Sequence, residues 1–225
     1  MPAALSDVRS PWGDGWSAEE VVAKLEPLVG EPRRNRLEEV IAARLSSVTV
    51  LLDAPYDPHN VAAIMRSCDA FGVQQLHVAA RERLLLSRKI ARGTQWWVDV
   101  VVHDSPSDAA HDLQSGGFEL VAAETGGSLM PSDLARVGRL ALVLGNEHEG
   151  VGPEIRATVS RTVKIPMRGF VESLNLSVSA AILLEAATRD RPGDLAATER
   201  RDLYARGLFR SVPRAADVLI ASRKR

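Results

Sequence analysis

The stretch VTVLLDAPYDPHNVAAIMRSCDAFGVQQLHVAA, residues 48–80, decides the fold. Val48 to Asp53 is short and apolar enough for a buried strand, and Pro55 and Pro58 stiffen the turn that ends it. Asn60 to Phe71 then carries apolar residues at helical spacing until Gly72 stops it, and QQLHVAA begins a second strand. A strand, a helix and a strand in so short a span form the unit from which parallel sheets are wound.

The alternation continues downstream. WVDVVVH reads as a strand, Ser107 to Leu113 as a helix, and FELVAA and RLALVL as strands; Gly152 to Val159 is a short helix, TVKIP a strand, and Asn175 to Arg189 a long helix. This predicts an α/β fold with a mostly parallel sheet covered on both faces. Upstream, Ser17 and Glu20 make a capping box ahead of VVAKLEPLV, and Arg36 to Leu45 repeats Leu37, Val40, Ile41 and Leu45 at helical spacing. Arg191, Pro192 and Gly193 break the long helix, and a basic helical extension follows. The expected organisation is a helical extension over residues 1–45, the sheet domain over 46–189, and a second extension over 190–225.

Composition narrows the classes. The chain has 225 residues, 45% hydrophobic and 25% charged, which is ordinary globular usage and argues against disorder or a fibrous repeat. No apolar run approaches the roughly 20 residues of a membrane-spanning helix. Nor does the N-terminus show the basic start and apolar block of a signal peptide, so a cytoplasmic protein is expected. The lone Cys68 can form no internal disulfide and reads as core packing on its helix. The five histidines lack a spacing such as HExxH, and no metal is expected.

The net charge is −1, but it is unevenly spread. From Arg189 to the end, ten bases stand against five acids, and Arg81, Arg83, Arg88, Lys89 and Arg92 form a second cluster. Such patches suit a nucleic-acid backbone and equally a solvated helix face.

In sheets of this kind ligands bind beyond the carboxyl ends of the strands, which directs attention to three loops. In the first, Asn60 opens a helix that carries Arg66 within an apolar run. Its fork of donors suits a phosphate or a developing oxyanion, or else an ion pair with Asp69. In the second, LALVLGNEHEGVGPEI, the glycines admit close approach of a ligand to the backbone and Glu147 supplies a carboxylate. It has neither the Gly-Lys-Ser/Thr of a phosphate loop nor the GxGxxG of a dinucleotide site. In the third, VKIPMRGFVESLNLSVSAAILLEAA, Ser173, Asn175 and Ser177 crowd the start of a helix that Ser173 or Asn175 caps.

Taken together, PHNVAAIMRSCDAFGV, LGNEHEGV and IPMRGFVESLNLSVSAA, each after a strand, resemble the SPOUT class of RNA methyltransferases and most closely its TrmH branch, over about Val48 to Arg189. The resemblance implies a parallel-sheet SPOUT fold with a C-terminal deep trefoil knot, a homodimer built on the knot, and S-adenosylmethionine as cofactor. It implies Ala123, Gly145, Ile165 and Leu174 around the adenosyl group. It assigns proton handling or alkoxide stabilisation to Arg66, orientation of Arg66 to Asn60, and arrangement of the pocket to Glu147, Ser173 and Asn175.

The implied substrate is tRNA, at guanosine-18 of the D-loop; ribosomal RNA and the tRNA wobble ribose are alternatives. A non-catalytic knotted RNA-binding module is a reading of another class, separable by testing whether the cofactor binds. His59 and His148 flank the motifs and invite a general-base reading. Trp96 and Trp97 could stack on a base or pack at the start of a strand.

Overall fold

In a computed structural model, residues 10–13, 15–79 and 96–223 are described. The basic cluster from Arg81 to Arg92 lies outside them, as do Lys224 and Arg225. The described residues divide into two units, one within 45–191 and a second made of those within 10–44 and 192–223.

In the first unit six parallel strands lie in the order β3-β2-β1-β5-β4-β6. They are β1 (Leu45–Asp53), β2 (Val73–Ala79), β3 (Asp99–His103), β4 (Glu119–Ala123), β5 (Leu140–Leu144) and β6 (Arg161–Val163). Parallel strands in the middle of a sheet are buried on both faces, which explains why β1 and β5 are nearly continuous apolar runs. Alternate residues serve the two sides. Val48, Val50 and Leu52 pack with α3 (Pro58–Ala70) and α6 (Leu176–Thr188), and the buried Cys68 belongs to that core. Leu51, Ala141 and Val143 pack with α4 (Pro106–Ser115) and α5 (Pro153–Arg156) on the other.

Strand β6 ends three residues before the expected Pro166 and α5 is four residues long where Gly152 to Val159 was expected, and two further differences have a visible cause. The second helix of the chain ends at Ala42, because the N–H of Leu45 pairs with the carbonyl of Gly72 at 2.8 Å and draws Leu45 into the sheet. The helix after β1 starts earlier than expected, and Asn60 does not cap it. Pro58 has no N–H to satisfy and suits the first helical position, while the Asp57 carboxylate caps by accepting from the His59 N–H at 2.8 Å. Asn60 is left inside the first turn with its amide free for other partners.

Strand β6 is short but held from both sides. The N–H of Glu124 donates to Val163, while Leu129 exchanges hydrogen bonds with Thr162 and Lys164. Gly127 lies so close that a Cβ there would sit 2.4 Å from the Val163 carbonyl carbon. The 124–129 loop therefore wraps the strand instead of merely following β4.

The second unit joins both ends of the chain. Helices α1 (Ala18–Leu25) and α2 (Glu31–Ala42) pack with α7 (Ala197–Ser211), and α8 (Ala215–Arg223) packs with α1 and α7. The capping box of Ser17 and Glu20 is formed. Leu37 fills the space left by Gly207, and Tyr204 donates to Glu26 at 2.8 Å. The basic extension is only partly available to a partner. Arg189 is held by Glu185, Arg191 donates to the carbonyls of Leu134, Val137, Gly138 and Ala187, and Arg206 is buried. Arg200, Arg201, Arg210 and Arg214 are exposed.

Between β2 and β3 the rings of His77 and His103 meet end to end, Nδ1 to Nε2 at 2.9 Å, both buried. Burial, and then the neighbouring His103, lower the His77 pKa from 6.5 to about 3. Burial lowers that of His103 too, against Asp112, Asp108 and Asp104. The folded state therefore refuses a proton that the unfolded chain accepts, so stability is full above pH 6.5 and is lost as the pH falls toward 3. Urea unfolding at pH 5 is expected to show about 2 kcal/mol less stability than at pH 8 from His77 alone. A pH-independent free energy, or an equal loss in His77→Gln, would contradict this.

Candidate active site

Register brings the loops together. Leu52 lies beside Leu144 across β1 and β5, so the chain leaves both strands at neighbouring points and the two loops that follow face each other. After β1, Ala54 turns with φ at +46° and its N–H bonds to the carbonyl of Ala79 at 2.8 Å. After β5, Asn146 and Gly150 exchange backbone hydrogen bonds at 3.0 and 3.1 Å, with Gly150 at φ +71°. The Asn146 side chain accepts from the N–H groups of His148 and Glu149. This closed turn presents Glu147 toward the first loop.

Glu147 accepts there from the Tyr56 N–H at 3.1 Å and from Asn60 Nδ2 at 2.8 Å. Burial opposes its ionisation, but the Asn60 amide and the N–H groups of Glu147, Tyr56 and Asp57 outweigh it and hold the carboxyl below its ordinary value. Asn60 is 8% exposed, and its Oδ1 accepts from Asn175 Nδ2 at 3.2 Å. Asn175 caps α6, with Oδ1 accepting from the Ser177 N–H at 2.8 Å and from its hydroxyl at 2.6 Å. One hydrogen-bonded line thus runs Glu147, Asn60, Asn175, Ser177 across all three loops. Residues so far apart in sequence are tied through one amide whose two ends are both used.

A cavity of about 440 Å³ opens beside this line. Ala123, Gly145, Ile165 and Leu174 line it, as do Glu147, Ser173 and Asn175. Gly145 is required by contact: a Cβ would come within 2.0 Å of the Gly150 carbonyl carbon and 2.2 Å of the Val151 nitrogen. The lining is apolar along Leu144, Val163 and Ile165 and acidic at Glu124, Glu147 and Glu172. Glu124 is paired with Arg156 at 2.9 Å.

Arg66 is not among the cavity residues of the single chain. It stands on the exposed side of α3, six residues or about 240° around the helix from Asn60. Asn60 therefore meets Glu147 and Asn175 instead of Arg66. His59 is exposed, His148 lies edge-on to Tyr56 at 5.4 Å between centroids, and neither lines the cavity. Trp96 and Trp97 are half-buried beside β3. Sequence reasoning passed over Glu124, Glu172 and the Tyr56 N–H, none of which stands in a distinctive pattern. It also passed over Asp53, although an acid closing a buried strand was a visible signal.

Several known proteins are similar to this chain over most of its length. The family described as SpoU rRNA methylase matches residues 47–185. The tRNA (guanosine(18)-2'-O)-methyltransferase of Thermus thermophilus is 37% identical over 165 residues, covering 72% of this chain and 84% of that protein. Among solved structures, a TrmH/SpoU tRNA modifying enzyme of A. aeolicus superposes with a TM-score of 0.70 at 30% identity, over 82% of this chain and 98% of the other. The SpoU methyltransferase AviRb of Streptomyces viridochromogenes, solved in complex with AdoMet, gives 0.59 at 29% identity over 67% and 63% of the two chains.

Proposed function

This chain belongs to the SpoU methylase family, and on that premise we propose that it methylates the ribose 2′-hydroxyl of guanosine-18 in the D-loop of tRNA. The observation that carries the reading is the convergence of Glu147, Asn60 and Asn175 beside one cavity at the strand ends. The named activity of the T. thermophilus relative supports the choice of substrate.

The cavity suits S-adenosylmethionine. Its volume is that of a small-molecule site, and Gly145 keeps the loop backbone at a distance no larger residue permits. Ala123, Gly145, Ile165 and Leu174 would hold the adenosyl portion, largely through main-chain atoms. The cofactor supplies, when bound, a methyl group already activated by sulfonium charge.

The task left to the protein is to place a ribose hydroxyl and stabilise the oxygen as its proton leaves. Glu147, Asn60 and Asn175 keep the three loops in register, and Ser173 lies on the cavity wall. Arg66 serves the forming alkoxide and the adjacent phosphate as a permanently charged fork, a role that asks for no deprotonation of guanidinium. Its exposed place on α3 fits a homodimer in which Arg66 of one protomer reaches the cofactor site of the other. Phe170 and Val171 in the loop before α6, with Val178 and Ile182 on α6, are exposed apolar residues that such an interface would cover. The grip of the 124–129 loop on β6 supports the trefoil knot. The exposed arginines of α7 and of the turn after it suit the RNA backbone, and action on tRNA fits the cytoplasm.

Transfer of labelled methyl to an unmodified tRNA transcript, followed by nuclease mapping, is expected to give one blocked ribose, at guanosine-18. Methylation elsewhere, or of ribosomal RNA alone, would overturn the substrate. Arg66→Lys keeps the charge but not the fork, and is expected to slow single-turnover methylation about a hundredfold. A near-normal rate would remove Arg66 from the reaction.

A further inference from the structure

The two loops that face each other after β1 and β5 are joined in both directions. Glu147 of the second loop accepts from the Tyr56 N–H and from Asn60 in the first. In return Asp53, the last residue of β1, accepts through Oδ2 from the N–H of Gly152, at the far end of the second loop, at 2.6 Å. The second loop thus gives one carboxylate to the first, and the end of β1 gives one to the second loop, each taking a backbone N–H.

Asp53 is 1% exposed, so it is set in the wall of the fold and is not a surface residue that happens to meet the loop. Burying a carboxyl group is unfavourable unless hydrogen bonds meet it, and Oδ2 has one from the Gly152 N–H at 2.6 Å. The segment it pins runs from Gly145 to Gly152, which lines the cavity and carries Glu147. Asn146 and Gly150 close the turn on itself, but those bonds are internal to the loop and leave its orientation open. Asp53 supplies an anchor to the sheet from outside the turn.

We propose that Asp53 is a positioning residue of the methyl-transfer site, holding the 145–152 loop, through Gly152, at the place where Glu147 reaches Asn60 and the Gly145 backbone forms the cavity wall. The inference rests on the reading of that cavity as the cofactor site. It adds to that site a residue that touches neither cofactor nor ribose.

The test is calorimetric binding of S-adenosylhomocysteine to the full chain and its variants, well below the unfolding temperature. Asp53→Ala leaves the Gly152 N–H without its acceptor and is expected to weaken binding about tenfold or more. Asp53→Asn keeps an acceptor oxygen and is expected to lose clearly less. A general loss of stability would lower the melting temperature of both variants without this ordering at a temperature where both are folded. Binding by Asp53→Ala within twofold of the parent overturns the proposal and leaves the cavity assignment standing, whereas a parent chain that does not bind overturns both. If Asp53→Ala does not fold, Asp53→Asn, Glu147→Gln and the double variant decide. The reciprocal clasp requires the double variant to lose at least threefold less than the product of the single losses, and independent effects overturn it.

Discussion

Gly145→Ala is expected to weaken S-adenosylhomocysteine binding at least about a hundredfold, because the added methyl meets backbone and not a side chain that can swing aside. Its nearest neighbours would be the Gly150 carbonyl carbon at 2.0 Å and the Val151 nitrogen at 2.2 Å. No real Cβ tolerates those distances, so the 146–150 turn must move outward as a body. That motion pulls Glu147 from Asn60 and changes the cavity wall in one step. Isothermal calorimetry measures the loss, and circular dichroism should show the sheet retained, since β5 ends before the clash. Affinity within threefold of the parent would mean that the turn relaxes freely and that its backbone does not form the binding surface.

Asn60→Asp is the second large effect, on rate more than on fold. The wild-type amide donates to Glu147 and accepts from Asn175, a pairing that only a group with both a donor and an acceptor can make. Aspartate keeps the acceptor but places a second carboxylate about where the amide nitrogen stood, 2.8 Å from Glu147. At that separation the repulsion is worth about 6 kcal/mol with an effective dielectric constant near 20. The pair answers by parting or by binding a shared proton, as adjacent carboxyls do. Single-turnover methylation at pH 8.5 is expected to fall about a hundredfold and to recover in part toward pH 6. The sign follows from the chemistry: protonation of the pair restores an O–H donor between the introduced carboxyl and Glu147, so activity returns as the pH falls. A pH-independent defect equal to that of Asn60→Ala would show that the donor is irrelevant.

The alternation from Val48 onward was enough to read the parallel sheet, because buried parallel strands are written as short apolar runs and helices as longer periodic ones. The capping box of Ser17 and Glu20 was legible for a local reason: its donors and acceptors are three residues apart. What could not be read was choice of partner over distance. Asn60 looks like a cap from its neighbours, yet Asp57 does that work and the amide turns to Glu147 and Asn175, which only sheet register brings near. Arg191 reads as one more positive charge in a basic tail, but it is spent on four carbonyls of its own unit. His77 and His103 lie on separate strands, and nothing in either strand announces that pairing of β2 with β3 will set their rings end to end.

The helical unit assembled from both ends of the chain has a consequence for biosynthesis. Helices α1 and α2 leave the ribosome before the sheet, and α7 and α8, against which they pack, emerge after it. At ordinary elongation rates the early helices wait on the order of ten seconds for their counterparts. A nascent chain stalled in that interval can complete its parallel sheet while the other unit is still half made, and premature termination before α7 leaves the apolar sides of α1 and α2 uncovered for chaperones or proteases to find.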